Sequence, residues 1–362
     1  MGVLALTRRA GRLLFLALLF VATLEVCTRV EACWRWDAPF WGPYSSEILR
    51  TTDEIGTRNR PGARFEKWTI NSAGFRGPEL SLEKAPGVVR VGVAGASEMF
   101  GLYESPDKDV TAQLREQLKA APGRFEVVNL AAAGITPPRL RELYERWASR
   151  FGFDFVVVYP TPAFYLDVEP PSRSAEAARS AAASEAVSLR LPDKVWRALR
   201  ELLPGELQAW LKRRQIERVR RAHPPGWVWS QAPPDRVSLF ESDLALLVQS
   251  IERSGARVIL ATHANRFASP PRSGDEAIML GWIRFYPRAS AECLLDMERQ
   301  ANEAVRRLGR ERGLPVVDVE QLAGKDPESY ADFAHFTDAG ASRVAAALGA
   351  EVRSLAPARP EP

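Results

Sequence analysis

The apolar positions of the chain fall into three kinds of run. The first is residues 13 to 24, LLFLALLFVATL, broken only by one threonine. Arg8, Arg9 and Arg12 precede it, and Glu25 and Arg29 follow. The run is short against the roughly 20 residues that cross a bilayer. Val26 and Cys27 extend it, and Arg12 can snorkel. This pattern predicts a transmembrane signal anchor over 13–28, with the basic residues 1–12 cytoplasmic and the remainder exported. A cleaved signal peptide fits less well, because small residues suited to cleavage are scarce after Leu24. A buried core helix is the third reading. The second kind of run is short and β-branched: 88–95, 125–130, 153–159, 256–262 and 314–319. The third has helical spacing: 110–120, 138–151, 236–253, 275–312 and 338–354. Strands and helices alternate through these segments. The alternation predicts an α/β domain over 88–355, in three α/β/α layers, with about five parallel strands.

Two regions lack such a period. Residues 29–87 are rich in Trp, Pro and Arg and read as an extended arm packed on the domain. Within it, Asn71-Ser72-Ala73-Gly74-Phe75-Arg76-Gly77-Pro78 indicates a turn, with Phe75 placed to pin the arm to the core. Residues 170–235 are rich in Ala, Arg and Glu, and proline pairs bracket them. Trp196, Leu199, Leu203, Leu207, Trp210 and Leu211 recur there at helical spacing, so a helical insertion is expected. Its first reading is a cover on the sheet edge. The alternative is a lid or membrane-facing element, since Trp and Arg on an amphipathic helix suit a bilayer surface. Residues 356–362 read as a loose, disordered tail.

Charge and cysteine narrow the picture. Forty-nine basic residues against 45 acidic ones leave a net charge of +4. The arginines are spread along helical segments, so no nucleic-acid partner is expected. The three cysteines make neither a CxxC pair nor a zinc spacing. Cys33 and Cys293 could form a disulfide in an extracytoplasmic domain. No metal and no organic cofactor is implied, and the oligomeric state is not legible.

The candidate chemistry lies at two strand ends. The run 88–95 breaks at Gly95-Ala96-Ser97, and glycine returns at Gly101. Open α/β sheets bind ligands at the carboxyl ends of their strands, so Ser97 is expected where a substrate would lie. Asp332-Phe333-Ala334-His335 falls between the last strand and the last helix, with Thr337 or Asp338 as that helix's N-cap. Asp332 can turn back onto the imidazole and fix its tautomer. A serine hydroxyl needs such a base. Of the three histidines, His223 lies among loop prolines, and His263, at a strand end, is given a structural role.

With both ends in view, the chain resembles the SGNH (GDSL) hydrolase family of serine esterases and acyl transferases. Gly95-Ala96-Ser97 in GASEMFG corresponds to the family's GDSFTFG block. Gly134 in NLAAAG corresponds to the glycine of the second block, and Asp332 and His335 to the closing Asp-x-x-His. NSAGFRGPE is similar to a lead-in of exported, membrane-anchored members. The likeness covers about 70–355, interrupted by 170–235. It implies a flavodoxin-like domain, and Ser97, His335 and Asp332 as a catalytic triad. The amides of Ser97 and Gly134 would form the oxyanion hole. The implied substrates are small-molecule or polysaccharide acyl esters, acetyl or short acyl, or lipid esters of the envelope. Two positions depart from the family. Ala96 replaces a supporting aspartate. After the third strand, Tyr159-Pro160-Thr161-Pro162-Ala163 offers no asparagine for the oxyanion, so the hole would rest on the two amides unless Thr161, Tyr165 or another group substitutes. The departures leave a second reading open: a catalytically inactive module that binds glycan or a protein partner.

Overall fold

The computed structural model describes residues 2–121, 123–166, 189–268, 272 and 274–356. It opens with a helix of 35 residues, α1 (Gly2–Trp36). Within it, Gly11–Trp36 is long and apolar enough to cross a membrane or to act as a signal sequence. Leu13, Leu14, Phe15 and Leu16 all face outward, each more than half exposed. The helix continues eight residues beyond the expected anchor end at 28, into what reads as extended arm. The Arg29–Glu25 pair at 2.6 Å supports this extra length across one turn. Asp37, at φ 54°, then ends it before Pro39.

The rest of the arm is folded into hairpins. Strands β1 (Arg50–Asp53) and β2 (Gly56–Asn59) pair antiparallel, as do β3 (Arg64–Phe65) and β4 (Trp68–Thr69). The NSAGFRGPE stretch follows. Asn71 organises it, accepting from the amides of Ala73 and Phe75 and donating to the Pro78 carbonyl. Phe75 is buried edge-on against Phe151, as the arm reading expects.

The α/β alternation then runs β5 (Val88–Gly95), α2 (Ser97–Phe100), α3 (Val110–Lys119), β6 (Arg124–Asn129), α4 (Pro137–Arg146) and β7 (Phe155–Tyr159). Next come α5 (Leu191–Leu202), α6 (Gly205–Arg221), α7 (Pro234–Arg253) and β8 (Arg257–Ala261). The chain closes with α8 (Glu276–Phe285), α9 (Ala291–Arg312), β9 (Val316–Val317), α10 (Val319–Leu322) and α11 (Asp338–Leu355). Five strands form one parallel sheet in the order β6-β5-β7-β8-β9. That is the 2-1-3-4-5 order of flavodoxin-like doubly wound folds. Alternation along β7 builds both cores. Val156 and Val158 face α4, α7 and α9, while Phe155, Val157 and Tyr159 face α3 and α11. The fold class is the expected one.

Local differences have local causes. The helix expected over 138–151 ends at Arg146 and passes into a 3₁₀ turn, Ala148–Phe151. The last strand, at the sheet edge, has two residues instead of six; Pro315 ahead of it has no N–H to give the ladder. Of the expected insertion, 170–188 lies outside the described residues. Helix α6 covers α8 and buries Ile216 in the core, whereas α5 docks on α1. Helix α6 thus covers another helix and not the sheet edge that was expected. Of the expected tail, 357–362 lies outside the described residues. The Cys33–Cys293 disulfide is not formed: Cys27, Cys33 and Cys293 are all free. Cys293 is buried on α9, where its thiol meets the Gln231 carbonyl at 3.2 Å.

Candidate active site

Adjacent strands β5 and β7 end together, with Gly95 opposite Tyr159. The chain order reverses at this point of the sheet, because β6 lies on one side of β5 and β7 on the other. Ser97 begins the single helical turn α2 just beyond and is partly exposed. Arg76 of the arm holds that turn from below. It donates to the carbonyls of Phe100 and Gly101 and pairs with Asp109 at 3.2 Å. Gly101, at φ 84°, leaves the turn where a Cβ would stand 2.3 Å from the Arg76 guanidinium. Asn129, at the end of β6, ties in the neighbouring loop by donating to the Met99 carbonyl at 2.9 Å.

His335 comes from the loop ahead of α11, whose N-cap is Thr337. A bridge between Tyr330 and Phe336 pinches this loop, with both rings buried. Asp332 accepts from the amides of Ala334 and His335 at 3.0 Å each, which fixes the carboxylate inside the pinch. Its two oxygens lie 2.9 Å from His335 Nδ1, and Nε2 lies 2.9 Å from Ser97 Oγ. The three residues chosen from sequence thus meet in one hydrogen-bonded line. Burial by itself would lower the imidazole pKa. The Asp332 hydrogen bond and the charges of Glu98, Asp332 and Glu104 outweigh it and raise His335 above its usual value. Asp332, despite its burial, is held below the usual range by the same bond.

Gly134 sits at φ 72°, a left-handed conformation that glycine adopts freely. A Cβ there would lie 2.7 Å from Nη2 of Arg50. Arg50, Arg58 and Arg139 line a cleft with Gly134 and Ile135, so a cationic wall borders the predicted oxyanion loop. No pattern in the arm singled out Arg50, because its place beside Gly134 depends on the docking of the β1–β2 hairpin.

The substitute donors are engaged elsewhere. Thr161 donates its one proton to Glu98 Oε2 at 3.2 Å, and Tyr165 donates to Asp243 at 2.9 Å. Glu98 is the residue that sequence reasoning missed. It follows Ser97, is 3% exposed, and stands where GDSFTFG has phenylalanine. Its Oε1 lies 3.3 Å from His263 Nε2, and His263 Nδ1 lies 2.5 Å from Glu298 Oε2. Burial alone would push the Glu98 carboxyl up, yet the hydrogen bond and charge of His263 bring it down to about 2. Burial would likewise lower His263, and the charges of Glu298 and Glu98 raise it to about 10. Asn302 clamps the His263 backbone, accepting from its amide and donating to its carbonyl. His263 is fully buried in a Glu98–His263–Glu298 line that lies under the serine. Ser97 Oγ thus lies 2.9 Å from His335 Nε2 and 3.4 Å from Glu98 Oε2.

Sheet order and side chains define the class: a flavodoxin-like α/β protein carrying a Ser–His–Asp constellation at the carboxyl ends of its central strands. No family model matches the chain, and no curated protein does. Among solved structures it is similar to a lipase/acylhydrolase from Enterococcus faecalis, with 14% identity, 74% of this chain and 96% of that chain covered, and a TM-score of 0.44. It is also similar to a member of the lipolytic G-D-S-L family from Veillonella parvula, with 10% identity, 74% and 100% covered, and a TM-score of 0.44. A third is an acetyl xylan esterase, with 13% identity, 73% and 100% covered, and a TM-score of 0.41.

Proposed function

We propose that this chain is a membrane-anchored serine esterase whose catalytic domain lies outside the cytoplasm and acts on acyl esters. The observation that carries the reading is the unbroken line from Ser97 Oγ through His335 to Asp332, with 2.9 Å at each step. In this scheme Ser97 Oγ attacks the ester carbonyl and passes its proton to His335 Nε2. The amides of Ser97 and Gly134 receive the oxyanion, and Arg50 adds positive charge to the same loop. The tetrahedral adduct collapses, and His335 returns the proton to the departing alcohol. Water then attacks the acyl-serine and gives a proton to His335, and the second adduct collapses to the free acid as His335 returns that proton to Ser97 Oγ. A sugar hydroxyl in place of water would make the reaction a transfer. Acetyl and other short acyl groups on polysaccharide or lipid are the substrates proposed. An absent third oxyanion donor costs about 2.7–4 kcal/mol of transition-state stabilisation, so turnover is expected to be slow.

The test is hydrolysis of a short-chain aryl ester by the full chain in detergent and by Ser97→Ala. Loss of a triad nucleophile is expected to lower kcat by about a thousandfold or more. Equal rates would remove Ser97 from the mechanism. One observation favours a second reading, a silent module that binds glycan or protein: a carboxylate, Glu98, captures the hydroxyl that would replace the family's asparagine. A serine-directed fluorophosphonate separates the two, since it labels Ser97 only if the hydroxyl is activated.

A further inference from the structure

Two aromatic rings border the His335 imidazole. Tyr103 lies 5.2 Å from it between ring centroids, and Phe333 lies 5.8 Å from it. They differ in what else they do. Phe333 is partly buried and belongs to a stack, on Trp282 at 5.4 Å, which in turn stacks on Phe267 at 5.6 Å. Tyr103 leads into no such stack on Trp282 and Phe267. With all its contacts in place it is still 54% exposed, beside an imidazole whose side chain is only 12% exposed.

The backbone under Tyr103 is fixed from two directions. The Tyr103 amide donates to Glu104 Oε2 at 3.1 Å, and Glu104 is buried. The Glu104 carbonyl accepts from Lys67 of the arm at 2.5 Å, and the Ser105 amide donates to Asp338 at 2.7 Å. Asp338 opens α11, close behind His335 in the chain, so the Tyr103 loop and the imidazole loop are tied together. A ring held in place before binding loses little freedom when a ligand lies on it. The chemistry says which part of an ester would lie there. In the proposed reaction His335 Nε2 gives a proton to the departing alcohol, so the alcohol rests against the imidazole and against what borders it. An exposed tyrosine offers an apolar face and a hydrogen-bonding tip. The partly exposed Asp332 carboxylate adds a polar edge nearby. A pyranose matches this surface, with C–H groups on its face and hydroxyls around its rim. A plain alkyl alcohol has nothing for the polar edge.

We propose that Tyr103 is the platform for the leaving alcohol and selects esters of a sugar hydroxyl, the pyranose lying on its ring. The proposal rests on the reading of Ser97 and His335 as nucleophile and base. Acetate release from methyl 6-O-acetylglucoside and from ethyl acetate is compared for the full chain in detergent. Wild type is expected to prefer the sugar ester in kcat/KM. Tyr103→Ala should cut that preference about tenfold, and Tyr103→Phe, which keeps the ring, should retain most of it. A wild type without the preference would overturn the proposal. So would a preference unchanged in Tyr103→Ala, including one that survives equal losses on both esters, since the ring would then only support His335. If wild type cleaves neither ester, the esterase reading falls, and binding decides the platform by itself. Saturation-transfer NMR with methyl glucoside then serves as the readout. Transfer to the sugar that disappears in Tyr103→Ala would keep the platform; transfer that is absent from wild type, or that persists in Tyr103→Ala, would overturn it.

Discussion

Ser97 is flanked by two imidazole–carboxylate pairs with different tasks. In the proposed mechanism His335 must be neutral to accept the serine proton, and its raised pKa makes activity fall with decreasing pH earlier than an ordinary imidazole would. The acid limb of kcat/KM is therefore expected above the usual imidazole value of about 6.5. Glu98→Gln removes one of the charges that raise His335, so the acid limb should move to lower pH; an unmoved limb would show that Glu98 does not act on the base. The Glu98–His263–Glu298 line is a stability element. His263, raised to about 10, contributes stability that is complete below its unfolded value and is lost as pH rises through about 10. Glu98, lowered to about 2, contributes stability that is present above the ordinary carboxylate range and lost as pH falls through about 2. At neutral pH both contributions are present. His263→Ala leaves two carboxylates buried without their partner and is expected to cost about 3–5 kcal/mol. Thermal unfolding at pH 7 in detergent checks this, and an unchanged melting temperature would refute it. The triad was legible because Ser97 and the Asp332–His335 pair each stand in a recognisable local pattern. Glu98, His263 and Glu298 come from three distant elements, and no spacing announces them.

At the scale of elements, short turns carry the site. The α2 turn is one helical turn long, too short to be stable alone. Arg76 and Trp68 of the arm hold its end, Trp68 donating to the Gly101 carbonyl at 2.9 Å. The loop after β6 is placed by Gly134 and by Asn59, which donates to the Ala131 carbonyl at 3.0 Å. Gly134→Ala forces a side chain into a left-handed conformation against Arg50. It is expected to cost about 1–2 kcal/mol of stability. It should also lower kcat more than it raises KM, because it moves the proposed oxyanion donor. A kcat and KM pair equal to wild type would exclude this loop from the chemistry. Strands and long helices were readable because their periods of two and 3.6 repeat over many residues. The β1–β4 hairpins were not, since strands of two to four residues hold too little period.

At the scale of the molecule, the arm connects the apolar first helix to the loops around Ser97. The arm leaves α1, folds as two hairpins, and delivers Arg50 and Arg76 to the loops around Ser97. The proposed topology predicts that alkaline phosphatase fused after Pro362 is active only when carried outside the cytoplasm. In cells bearing the fusion, high activity is expected, and an inactive but stable fusion would place the domain on the cytoplasmic side.

The sequence by itself determined the layered α/β class, the apolar first helix, the nucleophile turn and the Asp–His pair, because each is written in neighbouring residues or in a repeating period. Only the tertiary structure decided that α1 runs on to Trp36, that α5 docks on α1, that Thr161 serves Glu98, and that arginines of the arm border the Gly134 loop. Those outcomes depend on which distant surfaces meet, and contacts between residues far apart in the chain leave no period to read.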